Sequence, residues 1–288
     1  MFRSYTYPEY DPLITYAKDA IVIVAVDHKK YLSLQGTNLN HPPAGTTPDL
    51  WWSVPSNTAP WTPFDAKIGS QVERTGSLKY TLTPGDIVAG ISFFQLSASS
   101  IDITMTDPTE GVVYEKTINL ISTSNVFDAY SYYFAPFLRT RNTAKIDLPP
   151  YRNAVITLSI NAGSDTSTAK CGEIVFGPSQ YAGDEQYEPS MEIVDWSTNK
   201  TDLWGNVETS KKPVSKKINI EMTIANSILP SVIDFMEDYR STPVVWIGVE
   251  TIEDVKSVYL IYGRYSRAST VLKYLSTSLI LIEITGMT

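Results

Sequence analysis

The 288-residue sequence holds one cysteine, Cys171, and two histidines, His28 and His41. A lone cysteine excludes an intrachain disulfide, so this is not a disulfide-stapled secreted domain. Neither histidine stands in a metal-ligand spacing such as HxxxH or HExxH. Basic residues are outnumbered 23 to 31 by acidic ones, for a net charge of −8. Duplex binding draws its affinity from neutralised phosphates, so this balance argues against a nucleic-acid partner. No apolar run approaches the roughly 20 residues that cross a bilayer as a helix. The opening MFRSYTYPEYDPL has no apolar stretch of the secretion-signal kind, and a soluble chain made in the cytoplasm is expected. G-x-S-x-G, Walker A and dinucleotide-binding glycine patterns are missing too.

The remaining catalytic options are thin. Cys171 lies in AKCGEIVFG, a strand-like run, where a small core residue is a better reading than a nucleophile. Asp184/Glu185 and Asp234/Glu237/Asp238 are the carboxylate clusters that acid/base work on a glycan would need, but the second group rides the polar face of a helix. No catalytic residue, cofactor or metal is expected.

Tyrosine and tryptophan are plentiful, 18 and 6 residues. Their apolar bodies and polar tips suit interfaces and sugar platforms, although sheets favour aromatics in any case. Strand-like runs dominate: Ile21–Val26, Tyr80–Leu82, Ile87–Leu96, Ile101–Met105, Gly111–Ile118, Ala154–Ile160, Gly172–Phe176, Ile218–Thr223, Val244–Val249, Ser257–Tyr262 and Thr277–Ile284. Many short runs at near-regular spacing predict an all-β chain of sandwich and barrel-like units. One packed helix is predicted over 227–240, with Asn226 or Ser227 as N-cap and Ile228, Val232, Phe235, Met236 and Tyr239 on one face. The Pro/Thr/Asn-rich stretch Asn38–Thr62 and the unpatterned Gly177–Ser190 divide the chain. The expected units are a small β module at 1–54, a β-sandwich at 55–177, and a sandwich or barrel with the helix at 178–288.

Three resemblances give these units a meaning. Tyr31, Gly36, Asn38, Pro42, Pro43, Trp51 and Trp52 follow a strand–turn–strand–loop–Trp layout. It resembles the small chitin-binding type of carbohydrate-binding module, with Tyr10 or Tyr16 where that type begins on Trp. Val88, Gly90, Ile91, Phe93, then Ile101, Ile103, Asp107, and finally Val155, Leu158, Ile160, Gly172, Glu173, Ile174 and Gly177 resemble the galactose-binding-like jelly roll. Asp195, Trp196, Ser197, Asp202, Trp204, Gly205, Asn206, Arg240, Thr242, Pro243, Trp246, Tyr262 and Gly263 resemble a pattern of phage tail and virion structural proteins. Trp61, Phe64, Asp65, Gln71 and Val72 point the same way.

The last resemblance implies a non-catalytic structural or adaptor component of a bacteriophage tail (ring, hub, collar or baseplate). Its partners would be other virion proteins and further copies of itself, and its location the virion. The first resemblance implies the alternative, a glycan-binding module that contacts host polysaccharide through Tyr31, Trp51 or Trp52; the competing reading makes Trp51 and Trp52 buried staples that join this segment to the next domain. Tyr130, Tyr132, Tyr133, Phe137, Arg139 and Arg141 are of the types enriched at interface hot spots and form a candidate contact surface, or else a core-facing segment. Trp196 and Trp204 either fix an inter-domain angle or anchor a neighbouring subunit.

Overall fold

A computed structural model describes residues 7–43, 50–122, 126–136, 138–186, 189–202, 204–248 and 257–288. The chain is all-β, with a small N-terminal sheet, a β-sandwich, and a bent sheet that carries one packed helix.

The N-terminal unit is a three-stranded antiparallel sheet of β1 (Ile21–Val24), β2 (Lys29–Ser33) and β3 (Trp52–Asn57). Its third strand runs three residues past the expected boundary at 54. So small a sheet has little aliphatic surface to bury, and aromatic rings make its core. Tyr31 and Trp52 are 0% and 3% exposed, with Tyr16 beside them. Tyr16 meets Trp52 edge to face at 5.5 Å. A single 3-10 helix, Ala59–Phe64, leads out of this sheet, and Trp61 on it stacks on His28 at 4.1 Å.

The sandwich comprises β4 (Val72–Thr75), β5 (Ser77–Leu82), β6 (Gly90–Phe94), β7 (Ser100–Asp107), β8 (Gly111–Asn119), β9 (Ile121–Ser122), a short helix α1 (Ala129–Phe134), β10 (Leu138–Arg139), β11 (Thr143–Lys145), β12 (Val155–Asn161), β13 (Thr168–Cys171) and β14 (Glu173–Gly177). One sheet has the order β5-β12-β7-β8 and faces β11-β6-β14, with the pair β13-β4 alongside. Period-two alternation sends Ile101, Ile103 and Met105 of β7 and Ile156, Leu158 and Ile160 of β12 inward, all at most 1% exposed. Ile91 and Phe93 meet them from β6. Burying each such side chain contributes about 1.5–3 kcal/mol.

The C-terminal unit begins with β15 (Asp184–Glu185), β16 (Ser190–Asp195), β17 (Thr198–Thr201), β18 (Val207–Ser210) and β19 (Val214–Ala225). It continues through α2 (Leu229–Asp238), β20 (Val244–Ile247), β21 (Leu260–Val271) and β22 (Thr277–Gly286). The order β15-β19-β22-β21-β20, with β16 also on β19, makes a six-stranded half-barrel. Ile218, Ile220, Met222 and Ile224 alternate inward with Ile280, Ile282 and Ile284, and Val232 and Met236 of α2 close that core. Tyr265 donates its hydroxyl to the Met236 carbonyl at 2.7 Å, tying the helix to β21.

The expected helix over 227–240 is shorter, and neither proposed cap serves it. Ile228 is the N-cap and makes no side-chain cap bond. Asn226 donates instead to the carbonyls of Tyr274 and Leu275 and accepts from Ser278, holding the β21–β22 connection.

Candidate interaction surfaces

The sandwich and the half-barrel meet through strands that are apolar on both faces. On β6, Ile91 and Phe93 fill the sandwich while Phe94 points the other way. On β21, Ile261 faces the helix while Leu260 and Tyr262 face Phe94. Ala144, Val245 and Ile247 complete the junction. Glu173 is buried in it at 3% exposure. One carboxyl oxygen accepts from the Ala66 amide at 3.2 Å, and the other has no hydrogen-bond partner. Burial, with the Asp65 carboxylate adding to it, pushes Glu173 up to about 8. Burial likewise lifts the Tyr262 phenol to about 12, with Glu173 contributing.

Two aromatic projections rise from this welded body. The first is the connection from β8 to β11. Its root is fixed by Thr140 donating to the Leu120 carbonyl and Leu96 to that of Arg141, both at 2.8 Å. The two-residue ribbon β9–β10 carries it outward. Asp128 caps α1 reciprocally: its carboxylate accepts from the Ser131 amide at 2.7 Å, and the Ser131 hydroxyl accepts from the Asp128 amide at 2.9 Å. These bonds hold the Asp128 carboxyl below its ordinary range. A cap this complete orders a six-residue helix that buries none of its own side chains. Phe127, Tyr130, Tyr132, Tyr133 and Phe134 are 86, 72, 70, 76 and 70% exposed. Tyr130 and Phe134, one turn apart, pack at 4.8 Å, and Tyr132 meets Tyr133 edge to face at 5.3 Å. Arg139 and Arg141, further along the same connection, are exposed as well. Phe137, expected in the same surface, lies outside the described residues. The competing core-facing reading does not hold for these tyrosines, and Phe127 and Phe134 join them unforeseen.

The second projection is the ribbon β17–β18, paired from Thr198↔Ser210 to Thr201↔Val207. All eight of its strand residues are exposed. Asp202 builds the tip: its carboxylate accepts from the Trp204 and Asn206 amides at 2.9 and 2.8 Å and from the Asn206 side chain at 2.9 Å. Those bonds hold the Asp202 carboxyl low. Gly205 takes φ +84° there, a region few other residues adopt without strain. Trp204 is left 88% exposed and Trp196, at the base, 56%. Trp196 donates to the Ser215 hydroxyl at 3.1 Å and walls an open hollow with Lys212, Pro213, Ser215, Thr285, Gly286 and Thr288. Neither tryptophan is among the residues of the apolar junction between sandwich and half-barrel.

The rings expected to stack on sugar are placed otherwise. Tyr31 and Trp52 are core residues; Tyr31 donates its hydroxyl to Asp27 at 3.1 Å and Trp52 its indole N–H to the His41 carbonyl at 2.7 Å. An unassisted three-stranded sheet needs these rings for its own interior, which corrects the expectation for both. Trp51 is half-buried, and one of its faces lies against His41 at 3.9 Å. Burial pushes the Cys171 thiol up, away from the reactive thiolate. Among the described residues no three His, Cys, Asp or Glu side chains gather as metal ligands, and no helix is long and apolar enough to cross a membrane. No family model, curated protein or solved structure matches the chain.

Proposed function

We propose that the chain is a non-catalytic structural or adaptor component of a bacteriophage tail, held in a multi-copy ring, hub, collar or baseplate by its aromatic projections. The observation that carries this reading is the capped helix α1, which presents Tyr130, Tyr132, Tyr133 and Phe134 to solvent at 70% exposure or more. Exposed aromatic rings gathered on one short element mark interaction sites. Tyrosine beside arginine is the composition of interface anchors. The virion assignment itself rests on the sequence resemblance carried by Asp195 to Gly263. Several members of that pattern have structural work in the fold: Asp202 and Asn206 make the ribbon turn, and Trp246 donates its indole N–H to the Gly263 carbonyl at 3.1 Å.

The test is electron microscopy of purified particles with this protein labelled. Label at a defined ring or plate of the tail is the expected result. A protein absent from particles and monomeric at tens of micromolar would sink the reading.

A further inference from the structure

We infer that the β17–β18 ribbon is an exchange arm, with Trp204 at its tip seating in the Trp196–Pro213 hollow at the base of the same arm on a second copy of this chain. This rests on the reading of the chain as a self-assembling subunit, and names the contact that does the assembling.

Three observations carry it. The ribbon continues the β16–β19 ladder through the Trp196 amide on the Pro213 carbonyl and the Lys212 amide on the Ser197 hydroxyl, but nothing covers it: every strand residue is exposed. The tip and the hollow also cannot meet within one molecule. Four paired residues on each strand separate them by about 13 Å of extended ribbon, so an indole at one end is out of reach of the hollow at the other.

The two ends are, finally, complementary in charge, and each offers an exposed indole. At the tip an exposed indole stands beside Asp202, whose carboxyl is held low; Lys200 and Glu208 face each other across the ribbon, which leaves Asp202 as the unmatched charge there. At the base the hollow is lined by Trp196, Pro213 and the exposed Lys212, with exposed Lys211 next in sequence. Asp195 lies near Lys211, which leaves Lys212 as the cation lining the hollow. A tip that fits a different patch, its own base, makes a heterologous contact. Repeated around a closing rotation, such a contact generates a ring.

Placing the photo-cross-linker p-benzoylphenylalanine at position 204 of the full chain keeps an aromatic anchor there. Irradiation followed by peptide mapping should join it to residues 212–215 or 285–288 of another copy. Cys171 is buried, so free-thiol side reactions stay low. In parallel, Trp204→Ala should weaken self-association by at least about tenfold, the effect of removing one interface anchor. At dilutions where both are monomeric its thermal midpoint should stay that of the parent, because Trp204 is exposed and belongs to no core. A parent that self-associates while its cross-links map elsewhere overturns the arm and leaves the assembly reading standing. A parent that gives no copy-to-copy cross-link, stays monomeric and is missing from particles overturns both.

Discussion

Phe94 and Tyr262 lie with ring centroids 5.8 Å apart, each from a strand whose alternate residues fill a different core. The two larger units are thus joined by the packed outer faces of two strands, as well as by the chain that connects them. Phe94→Ala removes a ring that is 1% exposed and should cost about 3–5 kcal/mol. Calorimetry should show one cooperative transition for the parent's sandwich and half-barrel, and two for the variant. A single transition displaced by less than about 1 kcal/mol, the size of an average substitution, would contradict this account of the junction.

Glu173 gives the same junction a pH dependence. Its carboxyl titrates near 8 in the fold against an ordinary 4.5. Between those values the folded chain keeps a proton that the unfolded chain has released. Stability therefore falls as pH rises through that window, and the group contributes no slope below it. Glu173→Gln removes the titration and should raise the melting temperature at pH 8–9 relative to the parent, with little change at pH 4. Melting curves that run parallel across the whole range would show that Glu173 is not the titrating group.

Trp52 separates a structural role from a sugar-binding one. Trp52→Ala should destabilise the N-terminal sheet by about 3–5 kcal/mol, seen as faster proteolysis and amide exchange over β1–β3 with the sandwich unchanged. A folded Trp52→Ala protein that has lost only the capacity to be retained on polysaccharide would reverse the assignment.

Tyr132 and Tyr133 should behave in the opposite way. Replacing both by serine is expected to leave stability within about 0.5 kcal/mol, as for other surface sites, and to reduce incorporation of the labelled protein into particles. Undiminished incorporation would remove α1 from the interface.

The sequence revealed those elements whose alternation faces a core. β7, β12, β19 and β22 stood out because Ile, Leu and Met recur at every second position. The polar second half of β21, GRYSRASTV, gave no such signal, since along it the strand pairs with β22 through its backbone while its side chains largely face water. β17 and β18 were invisible for the same reason. Helix α1 did have a legible sign, the Asp128–Ser131 capping pair, but six residues are too few to show a period. At the candidate surfaces residue type was informative and burial was not. Tyrosines 130, 132 and 133 reached solvent as composition suggested, while Tyr31 and Trp52, equally aromatic, went to the interior. What divides them is the size of the unit each must serve, which strand patterning does not report.

The two-faced strand β6 also constrains how the chain is made. The buried core of its outer side includes Leu260 and Tyr262, encoded well over a hundred residues downstream of Phe94. A ribosome extending at roughly 5–20 residues per second leaves the Phe94 surface bare for on the order of ten seconds. Over that interval the nascent sandwich presents a sticky flank to its neighbours, so yield in a cell should depend on chaperone supply and on translation speed through the downstream segment.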